Sequence, residues 1–128
     1  MKLLLDTHAV LWFYLADPQL SAAASAAIID PANEKWVSPA SYWETAIKIS
    51  TGKYALAQPY EDFWRNAIDA NGFRILHILP KHTSLLTTLL YHHRDPFDRL
   101  IIAQSLAEGM SLVSADPIVD AYGVPRVW

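Results

Sequence analysis

The chain has 128 residues, 52% of them hydrophobic and 18% charged, a balance that suits one folded domain and excludes a disordered chain. Ten basic against thirteen acidic side chains leave a formal charge of −3 with no basic run, so composition offers no nucleic-acid signature, and the absence of cysteine excludes a disulfide scaffold, thiol chemistry and cysteine-ligated zinc. No stretch approaches the roughly 20 apolar residues of a membrane span. Asp6 and His8 interrupt the apolar N-terminal run and no cleavage site follows a basic region, so the start reads as that of a mature domain in a reducing cytoplasm.

Lys2–Asp6 is predicted to be a short buried strand that stops at a carboxylate, followed by Thr7 and a helix from His8 to Leu15. Asp17-Pro18 breaks that helix, and Ser21 opens a second one that closes at Asp30-Pro31. Trp12, Phe13 and Tyr14 supply more aromatic surface than one buried stripe needs; core packing is the first expectation and a partner surface the second. Lys35–Ser38 is the second predicted strand, and Pro39 starts a helix that stops at Gly52. Trp43 and Ile47 share one face of it, Glu44 and Lys48 another. Two ordinary roles are open to Glu44: capping-box partner of Ser41, or half of an exposed pair with Lys48. Pro59–Asn71 reads as a helix ended by Gly72, Phe73–Ile78 alternates like a strand with His77 as a packed or edge histidine, and Pro80–Leu90 is helical.

The densest chemistry lies in His92–Gln104. Pro96 suits a first helical position, which puts Asp95 at the N-cap and Asp98 in the first turn, both at the positive end of a helix that runs to Glu108 and stops at Gly109. Ser111–Ala115 is a strand ended by Asp116-Pro117, and a last short strand is expected near Val124–Val127. No repeat or linker divides the chain, so residues 1–128 form one domain. Strands alternating with helices predict an α/β fold with a parallel sheet covered on both faces, in which ligands gather at the carboxyl edge of the strands. Asp6 and Asp116 end two strands, Glu44 lies early in the helix leaving a third, and Asp98 starts a helix running back across the sheet. All four acids are therefore expected to open onto one edge. Side by side they would repel, and a divalent cation resolves the conflict; carboxylate donors without cysteine or paired histidines favour Mg²⁺ or Mn²⁺ over zinc.

Leu4-Leu5-Asp6-Thr7-His8, Ser41-Tyr42-Trp43-Glu44 with Ile47-Lys48, His93-Arg94-Asp95-Pro96-Phe97-Asp98-Arg99, and Val113-Ser114-Ala115-Asp116 followed by Tyr122 and Val124 form a pattern in order and spacing. In it the chain resembles the PIN-domain ribonucleases and, among them, the VapC-type toxins of bacterial toxin–antitoxin pairs. The resemblance spans essentially the whole chain and implies a PIN-like three-layer α/β/α fold with a central parallel sheet of about five strands. It implies that Asp6, Glu44 and Asp98 are the three main catalytic, metal-binding acids and Asp116 the more variable fourth. It implies Mg²⁺-dependent hydrolysis of RNA by an activated water, leaving a 5′-phosphate and a 3′-hydroxyl. It further implies a homodimer held inactive by an antitoxin whose tail covers the acidic edge, with the aromatics near Trp12 and Trp43 as contact candidates.

Around these acids, Asp95 is expected to serve as a cap or outer support, and Thr7 and Ser114 as hydroxyl donors to phosphate, Ser114 standing where many relatives carry threonine. Arg94 and Arg99 flank the acidic edge, either gripping backbone phosphates or as ordinary salt-bridge residues. His8, His92 and His93 stand outside the expected catalytic set. Two rival functions fit less well. An aspartate-nucleophile phosphatase wants a second acid where the chain has His8, and a phospho-receiver wants a lysine after a late strand, where none occurs. A catalytically idle binding module is opposed by four intact acids.

Overall fold

The apolar run Lys2–Leu5 forms β1, and Leu3, Leu4 and Leu5 are completely buried, as expected of a strand covered on both faces. The computed structural model describes all residues, Met1–Trp128. The further strands are β2 (Glu34–Val37), β3 (Arg74–Ile75), β4 (Ser111–Val113) and β5 (Arg126–Val127). They form one sheet in the order β3-β2-β1-β4-β5, with every neighbouring pair parallel. The helices are α1 (Thr7–Tyr14), α2 (Ala22–Ile29), α3 (Pro39–Ser50), α4 (Tyr60–Asp69), α5 (Pro80–Leu86) and α6 (Pro96–Glu108), with a 3-10 turn at Pro117–Tyr122.

Alternation along β1 divides the core in two. Leu3 and Leu5 pack with Val10 of α1, Ile28 of α2 and Phe63 of α4 on one face, while Leu4 packs with Ile101 and Ile102 of α6 and with Leu112 on the other. The result is the expected α/β/α sandwich with its five-stranded parallel sheet. Phe13 and Tyr14 join the first core, against Phe73 and Phe63, so the core reading of those aromatics holds; Trp12 lies between His8 and Trp128. No helix is long and apolar enough to cross a membrane.

Several boundaries differ from the sequence pattern. The strand expected over Phe73–Ile78 keeps ladder geometry only at Arg74–Ile75, because it is an edge strand with a single neighbour, and Leu76 adds one last hydrogen bond to the Val37 carbonyl. The helix expected through Leu90 ends at Leu86, and the last strand is confined to Arg126–Val127. The cap of α3 is Ser38, whose Oγ accepts from the Ala40 amide. Ser41 is instead buried and accepts a hydrogen bond from the Thr7 hydroxyl at 3.1 Å, so the capping-box role for Glu44 falls away.

Asp95 caps α6 as expected, accepting from the amides of Phe97 and Asp98, with Pro96 at the first helical position and Gly109 at φ 65° ending the helix. Arg99 departs from expectation. It is 5% exposed, donates to the carbonyls of Leu89, Leu90 and His93 at 2.8–3.2 Å, and stacks its guanidinium on Tyr91. Three of its five N–H donors end on backbone carbonyls and the side chain is buried, so it holds the loop before α6 in place. Arg99→Met should lower stability by about 2–4 kcal/mol, since three loop carbonyls lose their shared, buried charged donor together. Urea denaturation monitored by tryptophan fluorescence checks this, the midpoint falling while the slope stays constant.

Candidate active site

Strand order makes β1 the point from which connections depart to opposite sides, β2 on one flank and β4 on the other. The crevice beyond the carboxyl ends of β1 and β4 is the switch point of such a sheet. Asp6 stands there directly after Leu5, its amide bonded to the Val113 carbonyl and its Oδ1 accepting from the Ala9 amide as the cap of α1. Asp116 follows β4, with its Oδ1 capping the 3-10 turn through the Ile118 amide. Asp98 enters from the first turn of α6.

These three acids line one cleft of about 250 Å³ together with His8, His93 and Ser114, over an apolar floor that includes Ile102 and Leu112. Glu44 stands beside the cleft, near enough for its charge to act on Asp98. It is only 4% exposed, so the expected exposed pair is in fact a buried carboxylate reached by a half-exposed lysine: Lys48 Nζ lies 3.0 Å from Glu44 Oε2. Its other oxygen, Oε1, is buried with no hydrogen-bond partner.

Crowding leaves its mark on protonation. Burial pushes the Asp6 carboxyl above its ordinary range, the Ser114 hydroxyl, the Ala9 amide and His8 oppose this, and Asp116 adds to it. The Asp98 carboxyl is pushed from 3.8 to about 7, first by burial, then by the charges of Asp95 and Glu44, with His93 opposing and Asp6 adding.

His93, which the sequence pattern left outside the site, sits inside it. Its Nε2 lies 2.9 Å from Asp116 Oδ2 and 3.1 Å from Asp98 Oδ2. Its Nδ1 accepts from the Asp95 amide at 3.2 Å. An amide N–H only donates, so the ring proton belongs on Nε2, where it is hydrogen-bonded to Asp116 with Asp98 close beside it. The signal was present in the sequence as a histidine two residues before a capping aspartate, since the cap fixes the backbone amide to which the ring returns.

The remaining candidates separate. Ser114 is buried in the cleft wall, where its Oγ accepts from the Asp116 amide. Thr7 does not open onto the cleft: its hydroxyl donates to Ser41 and ties α1 to α3, which corrects its expected phosphate role. Arg94 is exposed and free of any ion pair, the one flanking arginine available to a ligand. His8 lines the cleft and packs on Trp12, whereas His92 is exposed against Tyr122.

The donor set is entirely hard oxygen apart from His93, and Glu44 Oε1 is an orphaned buried acceptor aimed at no protein group, so the chemistry fits a divalent cation of the Mg²⁺ type. No three His, Asp or Glu side chains close around a common point as a ready-made cage. That spacing suits an ion that keeps much of its own water shell better than one stripped of it.

A parallel α/β/α sandwich with a carboxylate cluster at its switch point defines a domain built around an acidic cleft. The chain matches the PIN domain family over residues 3–124 and belongs to it. It is 33% identical over 129 aligned residues to Ribonuclease VapC22 of Mycobacterium tuberculosis, covering 98% of this chain and 97% of that protein. Among solved structures it resembles VapBC2 from Rickettsia felis bound to a DNA fragment from their promoter, with a TM-score of 0.65 at 15% identity over 98% of this chain and 97% of that one. It also resembles FitAcB from Neisseria gonorrhoeae, with a TM-score of 0.64 at 14% identity, covering 97% of this chain and 95% of that chain. At such identities these structures speak to the fold.

The raised Asp98 carboxyl makes the ion-free protein pH-sensitive in a defined direction. Its folded value of about 7 lies above the ordinary 3.8, so the folded state holds an extra proton between those limits and stability falls as pH rises through them. Asp98→Asn removes that loss. Because the side chain is 35% exposed the gain is discounted to about 1 kcal/mol, or ~3–5 °C in melting temperature. Thermal melts in chelator are expected to show this difference at pH 8 and none at pH 4.

Proposed function

We propose that the protein is a metal-dependent endoribonuclease, the toxin of a toxin–antitoxin pair, which hydrolyses RNA phosphodiester bonds with water as the nucleophile. The observation that carries the reading is the meeting of Asp6, Asp98 and Asp116 in one cleft, with Glu44 beside it holding a spare buried oxygen. Whole-length similarity to a protein named as a ribonuclease supports it.

In this reading Asp6, Glu44 and Asp98 hold Mg²⁺, or Mn²⁺ in its place, and Asp116 completes the acidic set at the rim. When bound, the ion supplies positive charge against the scissile phosphate and favours deprotonation of a water for in-line attack. The protein's own part is positional. Asp6 is fixed by the Ala9 amide on its Oδ1, so its carboxylate keeps one heading at the end of β1. Asp98, whose carboxyl is raised to about 7, would hold the ion as the carboxylate, so that ion binding would depend on pH. Arg94, exposed and unpaired beside the cleft, contacts a backbone phosphate of the substrate. Hydrolysis of this type leaves a 5′-phosphate and a 3′-hydroxyl.

The inhibitory partner is an antitoxin whose basic segment complements the acidic cleft. The similar structures named VapBC2 and FitAcB support a partner of this kind. Trp43 is 56% exposed, meets Phe97 edge-on with ring centres 5.1 Å apart, and continues into Ile47, giving an aromatic patch beside the site for a partner chain or a second copy in a homodimer.

Purified, antitoxin-free protein is expected to cleave total RNA with Mg²⁺ or Mn²⁺ and to stop in chelator. Asp6→Asn and Glu44→Gln should each lower the rate at least about 100-fold, in the range of losing a charge contact made in the transition state. End-group analysis distinguishes the chemistry: 2′,3′-cyclic phosphate ends, or cleavage that persists without a divalent ion, would overturn the assignment.

A further inference from the structure

The four acids do not have equivalent surroundings. Asp116 has both oxygens committed within the protein, Oδ1 to the Ile118 amide at 3.0 Å and Oδ2 to His93 Nε2 at 2.9 Å. Asp98 has no hydrogen bond to either carboxylate oxygen; its Oδ2 lies 3.1 Å from the same nitrogen, in close contact beside the His93–Asp116 hydrogen bond. The imidazole is itself fixed from behind by the Asp95 amide on Nδ1, and the His93 backbone amide is held by the Tyr122 hydroxyl at 2.8 Å. One ring is thus anchored at both its backbone and its inner nitrogen, and directs its N–H at Asp116 with the Asp98 carboxylate packed against the same nitrogen.

We propose that His93 is a positioning residue through which Asp116 acts on Asp98: Asp116 steadies the imidazole, and the imidazole holds one oxygen of Asp98 so that the other faces the divalent ion. The inference rests on the metal-binding reading above and refines it, moving Asp116 from a direct contact of the ion to a support one residue removed. A ligand carboxylate that is also restrained by a contact within the protein keeps its heading at smaller entropic cost, and losing such outer support commonly weakens metal binding about 10–100-fold. Neutral imidazole suits this task because its N–H restrains the carboxylate without adding a positive charge that repels the ion.

The test is Mn²⁺ affinity, measured without RNA by electron paramagnetic resonance titration. His93→Leu keeps bulk and removes the donor; it is expected to weaken Mn²⁺ binding about 10-fold or more. His93→Gln, whose amide can present an N–H to the same carboxylates, should retain most of the affinity, which separates the hydrogen bond from mere packing. Asp116→Asn should weaken binding in the wild-type background and change it less than about twofold in His93→Leu, because the path through the ring is already cut. Equal affinity of wild type and a folded His93→Leu, or losses that multiply in the double variant, would overturn the proposal while leaving the nuclease reading intact. Failure of the wild-type protein to bind Mn²⁺ at all would overturn both.

Discussion

Like charges brought together by chain topology are the constraint on which the rest of the molecule depends. β1 lies at the centre of a parallel sheet, so the residue after it has nowhere to go but the carboxyl edge, and the residues after β4 and at the start of α6 arrive at the same edge. Nothing in secondary-structure propensity asks for four carboxylates there. An acidic cluster of this kind is unfavourable in the absence of a cation, and the fold tolerates it by supplying partial positive charge from several directions.

Those compensations differ in kind. Asp6, Asp95 and Asp116 each accept backbone amides at the start of a helix or 3-10 turn, where the unsatisfied N–H groups and the helix dipole favour an anion. Lys48 reaches one oxygen of Glu44 from the next turn of α3, and the His93 N–H covers Asp116. What is left uncompensated is specific: the second oxygen of Glu44 and the carboxyl of Asp98, which burial and its neighbours drive toward neutrality. The deficit is concentrated where an incoming cation would contribute most, a common arrangement in which a site stores unfavourable electrostatics that its ligand relieves.

Much of this was legible in the sequence, and for physical reasons. The strand and helix order follows from apolar runs punctuated by proline, glycine and capping residues, and Asp95-Pro96 announces the start of α6 because both residues are doing what their backbone chemistry favours. Convergence of Asp6, Asp98 and Asp116 follows from parallel topology alone. Directions of side chains did not follow. Glu44 and Lys48 share a helical face at any degree of burial, and only the packing of α3 against α1 and α6 makes that face an inner one. Thr7 lies next to Asp6 in the chain, yet the first turn of α1 rotates its hydroxyl toward Ser41, a residue 34 positions away. β3 and β5 shrink to two residues each because edge strands have one partner to extend them, which no periodicity records.

The block from Leu89 to Arg99 shows why a stability role and a site role are hard to separate by residue type. Arg99, a cation beside an acidic cleft, carries the appearance of a substrate contact, but its donors end on the carbonyls of Leu89, Leu90 and His93. Tyr122 closes the same loop from the other side, its hydroxyl accepting from the His93 amide and donating to the Leu90 carbonyl. Between them these two side chains fix the loop whose last members are His93, Arg94 and Asp95. The heading of the imidazole, whose N–H meets Asp116 in the cleft, is therefore inherited from contacts that never touch the cleft. Within this short segment alternate residues serve the scaffold and the site, and the scaffold residues owe their place to the same requirement, that Asp98 be held at a point where its charge is least welcome without a cation.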